Sequence, residues 1–524
     1  MHAVRHLLWI LLLLSPLAAW ADSPASGRVY LDANGNGRRD AGEAGVAGVK
    51  VSNGRDIALT DAAGRYRITL RDGDTLFVIK PPGYRFPTSA AGLPAFWAHH
   101  FPKGSQTLRY GRIAPGSARR AQFALHVDAG EDGSPFEVLV ITDPQTKNAR
   151  ELDYYARSIV APAARHAGIA LGMTLGDLVD DALDLHAGFN EANKALNLPW
   201  LHAPGNHDID FDVQDDADSL TNYRRSFGPD TVAWERPGHA FIALDDVIYR
   251  PGQKPAYVGG FREDQFRFLE NYLATLTPET RVVVSLHIPL FDDPGETFRH
   301  ADRARLFALL ERFREPLILS SHTHSQRHHF HGPESGWNGA LPLHEYNVGA
   351  ACGGYWSGLR DAEGLPDARM EDGTPNGYAI VRFGESVTTR YHASRARDDL
   401  RIGLSSPGPL RRGAYPAYPV VANVYGAEPD AVVEMRIDGG DWRPMARVDE
   451  PDPQLAAINI DDARAQDLRA FDRAVVARSG KHLWAANVPT DLEAGEHQVE
   501  VRARSRFEGE TTARTSYRLI DWIE

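Results

Sequence analysis

The residues best suited to chemistry form one ordered series: Asp143, Asp177, the run Asn206-His207-Asp208, His287, and the pair His322 and His324. They close or follow short apolar runs, "FEVLVITD", "MTLGD", "LHAPGNHD", "VVVSLH" and "LILSSHTH". Carboxylate and amide oxygens and imidazole nitrogens are the donors that divalent metals take. Strand ends are also where open α/β sheets assemble their sites. Singly, each piece is ordinary, since a strand-end Asp commonly forms a turn or caps a helix. In series they point to a binuclear metal site. Pro144 biases Asp143 toward extended backbone, and in extended chain the His-x-His spacing sends both imidazoles to one side. Gly176 permits a close backbone approach beside Asp177. A strand ending in Asp-x-His often opens such a site, but here the third position is Gln145, a neutral and weaker donor.

The elements that must position these residues follow from periodicity. From residue 135 to 395, apolar runs alternate with stretches of helical pattern at 150–166, 263–276 and 301–314. In the second stretch Phe266, Leu269, Leu273 and Leu276 recur at three- and four-residue steps, as in an amphipathic helix. Near-continuous apolar strands between helices predict sheets covered on their faces, an α/β core. Residues 22–134 instead show short period-two runs between Gly/Asp/Asn turns, with "HVDAGEDGSP" at 126–135 reading as a linker, and predict a small β-sandwich. The pattern turns β again over 396–524, a second sandwich, with a hairpin expected across Gly439-Gly440.

Residues 1–21 read as a secretory signal: Arg5, the apolar block Leu7 to Leu14, and Ala19-Trp20-Ala21 at the cleavage position. The expectation is a bacterial periplasmic or secreted protein with no membrane span once the signal is removed. The single cysteine, Cys352, allows no intrachain disulfide and reads as a packed residue. A formal net charge of -13 argues against general binding to nucleic acid or anionic membranes.

The stretches "GDLVDD", "GNHD" and "SHTH", the last with Ser321 where Gly is usual, resemble the calcineurin-like metallophosphoesterases. The flanking β zones and the stretches "CGGYWSG" and "EDGTPNGY" are similar to the exported bacterial subgroup. The resemblance implies a four-layer α/β/β/α fold and hydrolysis of phosphomono- or phosphodiesters. It further implies that Asp177 bridges two divalent metals. Asp143, Gln145 and His324 would serve the first, and Asn206, His287 and His322 the second. His207 would act as general acid or donor to the phosphoryl oxygens, with Asp208 orienting its ring. Two cations about 3.5–4 Å apart clamp a phosphoryl group and acidify a bridging water, giving a hydroxide for in-line attack. The metals could be Mn, Fe, Zn or Mg; the Gln145 amide favours Mn or Mg at the first site, or holds a metal-bound water instead.

The expected partner is a small-molecule or cell-envelope phosphoester. The reading from another class is a catalytically silent phosphoesterase fold displaying two β domains for adhesion or ligand binding. Intact Asn206, His207 and Asp208 favour the enzyme. Two further features stand outside the series. Asp32, Asn34, Asn36, Asp40 and Glu43 fit a calcium-loop pattern on strand-like flanks, equally readable as a Gly/Asn-rich turn. Trp356 and Tyr378 sit in Gly-rich stretches that could wall a substrate pocket.

Overall fold

The computed structural model describes residues 23–293, 298–394 and 400–521. The signal segment and the junction at 395–396 lie outside the described residues.

The central region is built on two sheets. The first has the order β3-β2-β1-β10-β11, from β1 (Phe136–Ile141), β2 (Ile169–Leu175), β3 (Trp200–Ala203), β10 (Gly377–Phe383) and β11 (Val387–Ala393). β1, β2 and β3 run parallel, so their carboxyl ends share one edge of the molecule. The second sheet has the order β4-β5-β6-β7-β9-β8, from β4 (Thr231–Arg236), β5 (His239–Leu244), β6 (Arg281–Ser285), β7 (Leu317–Ser320), β8 (Arg327–His331) and β9 (Leu343–Asn347). The sheets pack face to face. Phe136 and Phe383 of the first meet Phe241 of the second, with ring centroids 6.1 and 5.3 Å away.

Helices cover the outer faces. α1 (Ala149–Tyr155) is capped by Asn148, whose side chain accepts from the backbone of Arg150 and Glu151. The helical stretch expected to 166 is interrupted by a π turn at Ala156–Val160 and resumes only over Ala161–Ala163. α2 (Glu263–Leu273) and α3 (His300–Leu310) pack together on the second sheet. α2 buries Phe266, Phe268, Leu269 and Leu273, which contribute on the order of 6–12 kcal/mol before ordering entropy is counted. Leu276, expected on that face, lies beyond the helix end, in a turn closed by its N–H on Leu273 O.

Residues 23–127 form a β-sandwich of two four-stranded sheets. It is fused to the central region: Phe86 and Phe96 pack on Trp234 at centroid distances of 5.9 and 5.5 Å. The second sandwich, from Ile402 to Ile520, has its own core around Val420, Met435, Trp484, Val499 and Tyr517. Its strands Val432–Ile437 and Arg443–Pro444 pair as a hairpin, turning through Asp438 and Gly439, both at positive φ. No described helix is long and apolar enough to cross a membrane.

Candidate metal centre

The carboxyl ends of β1, β2, β3, β6 and β7 converge, and the loops that leave them are tied together. Asp143 N–H donates to Gly176 O (3.3 Å), Gln145 N–H to Asp177 O (2.8 Å) and Asp180 N–H to Thr146 O (3.1 Å). Close approach requires glycine here. A Cβ on Gly176 would lie 2.5 Å from His287 Nδ1, and one on Gly205 would lie 2.2 Å from Asp177 Oδ1.

The backbone in these loops is not the extended chain that the sequence suggested. Asp143, Gln145, Asp177, Asp181, His322 and His324 all have positive φ, between 41° and 70°. Only two other non-glycine residues in the described chain do, Asn197 and Asp438. Each such residue costs of order 1–3 kcal/mol, and such strain clusters at functional sites. The bias that Pro144 places on Asp143 is overridden because the chain must curl off the sheet to aim the carboxylate inward. The same curl sends the two His-x-His imidazoles to different neighbours rather than along one strand face.

Two ligand groups result. Asp177, His287 and His322 form one, and Asp143, Asp177 and His324 the other; within each, the ligand atoms lie within 4.8 Å of one another. Asp177 belongs to both. In the first group His287 Nε2 stands 2.9 Å from Asn206 Oδ1, 3.0 Å from His322 Nδ1 and 3.3 Å from Asp177 Oδ1. His287 Nδ1 faces Leu175 O at 2.8 Å, so it carries the ring proton and leaves Nε2 as the ligand atom. In the second group His324 Nδ1 donates to Gly354 O at 2.9 Å, which aims Nε2 at Asp143 Oδ1, 3.5 Å away. Asp143 Oδ1 is buried and makes no hydrogen bond. Carboxylate oxygens and imidazole nitrogens converging this closely, with the buried Asp143 Oδ1 left without a hydrogen bond, fit a pair of divalent cations. The electrostatics agree. Burial works against charge on His287, yet Asp177 above all, with Asp143 and Asp246, pushes its pKa up to about 10. Asp177 is held well below the usual carboxylate range despite its burial, by the imidazoles of His287, His207 and His322. The cluster draws in positive charge.

Gln145 sits inside this cluster. Its Nε2 donates to Asp177 Oδ2 at 2.9 Å, and its Oε1 faces the Cys352 thiol at 3.6 Å. Cys352 is fully buried, and burial raises its pKa, as for a packed thiol rather than a nucleophile.

Two site expectations are corrected. Asp208 does not orient His207. Its carboxylate is fully buried and accepts from the N–H groups of Gly205 (2.9 Å), Leu178 (3.2 Å) and Val179 (3.4 Å), clamping two site loops together. Adjacent residues in a tight turn point apart, so the partner of His207 comes from the neighbouring loop. His207 Nδ1 lies 2.8 Å from Asp181 Oδ1 and 3.3 Å from Asp180 Oδ1. Burial lowers the His207 pKa, but Asp177, Asp181 and Asp180 outweigh it and hold the ring at about 9. The sequence carried the signal in the second half of "GDLVDD". Tyr378 does not wall the pocket either. It lies in β10, with its hydroxyl 2.8 Å from His166 Nε2 and its ring stacked on His392. Trp356 does border the site, its Nε1 donating to Pro144 O at 2.8 Å.

The calcium-loop residues lie apart, in the first sandwich. Asp32 accepts from the N–H groups of Gly35, Asn36 and Gly37, Glu43 from those of Ala33 and Asp40, and the amides of Asn34 and Asn36 donate to Asp40. The loop closes on its own hydrogen bonds.

Comparison with known proteins agrees with this geometry. The profile of the family described as "Calcineurin-like phosphoesterase" matches residues 136–326. Its companions, "N terminal of Calcineurin-like phosphoesterase" and "C terminal of Calcineurin-like phosphoesterase", match residues 33–110 and 345–510. No curated protein sequence matches the chain. Solved structures similar to it include the following two. One is GAP50, the anchor in the inner membrane complex of Plasmodium, at 12% identity over 50% of this chain and 85% of that one, with a TM-score of 0.31. The other is purple acid phosphatase PPD1 from yellow lupin (Lupinus luteus) seeds, at 12% identity over 71% of this chain and 67% of that one, with a TM-score of 0.36. With all three family segments matched in order from residue 33 to 510, the chain belongs to the calcineurin-like phosphoesterases, hydrolases of phosphoric esters.

Proposed function

We propose that the chain hydrolyses phosphomono- or phosphodiesters of small molecules or of the cell envelope, at a site holding two divalent cations between the ligand groups that share Asp177. The observation that carries this reading is the sharing itself: one carboxylate stands within ligand distance of both groups. Asp143, His324 and Asp177 would hold one cation, with Gln145 beside it, and Asn206, His287, His322 and Asp177 the other. When bound, such cations neutralise phosphoryl charge and acidify water.

The chain's own residues supply the rest. His287 and His324 are locked in the ligating orientation by Leu175 O and Gly354 O. His207 is partly exposed, and Asp177 together with Asp181 and Asp180, both beside its Nδ1, favours the protonated ring. As the P–O ester bond breaks and water adds to phosphorus, the His207 proton passes to the departing oxygen, and the ring regains a proton from solvent. Asp181 positions that ring, while Asp208 fixes the loop that carries it.

The test is turnover of aryl phosphomonoesters and phosphodiesters by protein reconstituted with Mn, Mg, Zn or Fe. Hydrolysis lost in Asn206→Ala and His322→Ala supports the reading. No turnover with any metal would sink it. Export is likewise a proposal, supported by Arg5, the Leu7–Leu14 block and Ala19-Trp20-Ala21. Cell fractionation that left the protein in the cytoplasm would refute it.

A further inference from the structure

Beside the metal cluster lies a cavity of about 470 Å³ that shares Gln145 and Asp180 with the site. Its apolar wall comes from two distant parts of the chain. Tyr355 and Trp356 follow β9, whereas Phe471, Val475 and Val476 belong to the second sandwich, in the segment after α4 (Pro453–Arg464). Phe471 is 67% exposed, Val476 70% and Tyr355 56%. Large apolar side chains left facing water around one opening mark a surface that something covers.

The segment that brings them is held firmly. Phe471 O accepts from Gly358 N–H (3.3 Å), and Arg478 N–H donates to Glu371 O (2.8 Å), both across to the catalytic region. From the α4 side, Asn459 Nδ2 donates to Val475 O and Asn459 Oδ1 accepts from Ala477 N–H, both at 2.8 Å. Val475 packs so closely on Gly354 that a Cβ there would lie 2.4 Å from Val475 Cγ1. Gly354 in turn supplies the carbonyl that orients His324. The wall is therefore fixed relative to the metal cluster.

The charged groups around the cavity are already engaged, Glu151 by the Lys147 N–H and the Asn148 amide. Lys147 meets Asp180 at 3.0 Å and Arg478 meets Glu371 at 3.1 Å. The Arg473 guanidinium is engaged by the carbonyls of Asp462, Ala465 and Leu468. Such a lining favours an apolar, planar occupant over a second anionic group.

We propose that this cavity is the subsite for the organic group of the phosphoester, and that this group is a flat uncharged ring, an aryl group or a nucleobase. The inference rests on the phosphoesterase reading for the position of the phosphoryl group. The C-terminal sandwich is then a specificity element.

The test is calorimetric binding of phenylphosphonate, methylphosphonate and a nucleoside phosphonate to the full-length, metal-loaded protein and to a Phe471→Ser/Val476→Ser variant. Both positions are exposed, so the fold should survive. The expected result is phenylphosphonate bound about tenfold tighter than methylphosphonate, the effect of burying part of a ring. In the variant that ratio should fall to about two or less. A nucleoside phosphonate tighter than phenylphosphonate identifies the ring as a base, and the reverse identifies an aryl group. Equal affinities in the native protein, a ratio that survives in the variant, or no binding of any probe would overturn the proposal. Protein that discriminates the phosphonates yet hydrolyses no phosphoester would sink the phosphoesterase reading and leave the ring subsite standing.

Discussion

The Gln145 side-chain amide donates to Asp177 Oδ2 at 2.9 Å, placing a neutral group against the carboxylate that both ligand groups share. An imidazole at this position would offer a stronger nitrogen donor to a borderline metal. Gln145→His is therefore expected to tighten Zn or Fe at the first position by roughly tenfold, with Mn and Mg changed much less. Chelator competition measures this. Unchanged selectivity would mean that residue 145 acts only through its hydrogen bond to Asp177.

The Asp181 carboxylate, 2.8 Å from His207 Nδ1, should set the alkaline limb of the rate profile. The limb reports loss of the His207 proton, which Asp177, Asp181 and Asp180 hold more tightly than a free imidazole would. Cations bound at Asp177 cancel the largest of the raising charges and leave Asp180 and Asp181 to sustain the rest. Asp181→Asn removes one of these, so the limb should move to lower pH by about one pH unit or less, because Asp181 is half-exposed and screened. Asp208→Asn should leave the limb in place and lower the thermal midpoint instead. A limb that moves with Asp208 and not with Asp181 would reverse the assignment.

Gly205 tests the close packing. With a Cβ predicted 2.2 Å from Asp177 Oδ1, Gly205→Ala must displace the shared carboxylate. A displacement approaching 1 Å costs about a hundredfold in rate. Steady-state kinetics beside a circular dichroism melt would show activity lost from a folded protein. Wild-type turnover in this variant would contradict the geometry.

Acid stability should reflect histidines buried neutral. Burial lowers the pKa of His202 and of His328 to about 3. The unfolded chain binds their protons near pH 6.5, so stability is intact above that pH and falls as pH drops from 6.5 toward 3, by about 1.4 kcal/mol per pH unit per histidine. His328 is stacked between Tyr346 and Phe507, at 4.3 and 4.7 Å. Thermal midpoints of EDTA-treated protein between pH 4 and 7 should fall less steeply in His328→Phe than in the native chain. Parallel slopes would show that His328 is not kept neutral by the fold.

The convergence of the candidate ligands was legible because metal donors must stand at strand ends, and the apolar runs before Asp143, Asp177, His287 and His322 expose those ends in the sequence. The curl was not legible. Six site residues adopt left-handed φ because several loops must satisfy each other's hydrogen bonds at once, and no local pattern around Asp143 encodes the carbonyl of Gly176. Asp208 misled for a related reason: adjacency in sequence suggested a pair, whereas the turn sends its carboxylate to three amides of neighbouring loops. Phe471 and Val476 were out of reach altogether. They come to the site from a separate sandwich, and nothing in "RAFDRAVVARSG" marks a segment that will face a catalytic cavity.

The account depends most on two cation positions sharing Asp177. Elemental analysis of Mn-loaded, dialysed protein tests this directly. Two cations per chain are predicted for the native protein, one for His324→Ala or His322→Ala, and none for Asp177→Ala. A native chain that retains no more than one cation, or an Asp177→Ala variant that keeps both, would contradict it.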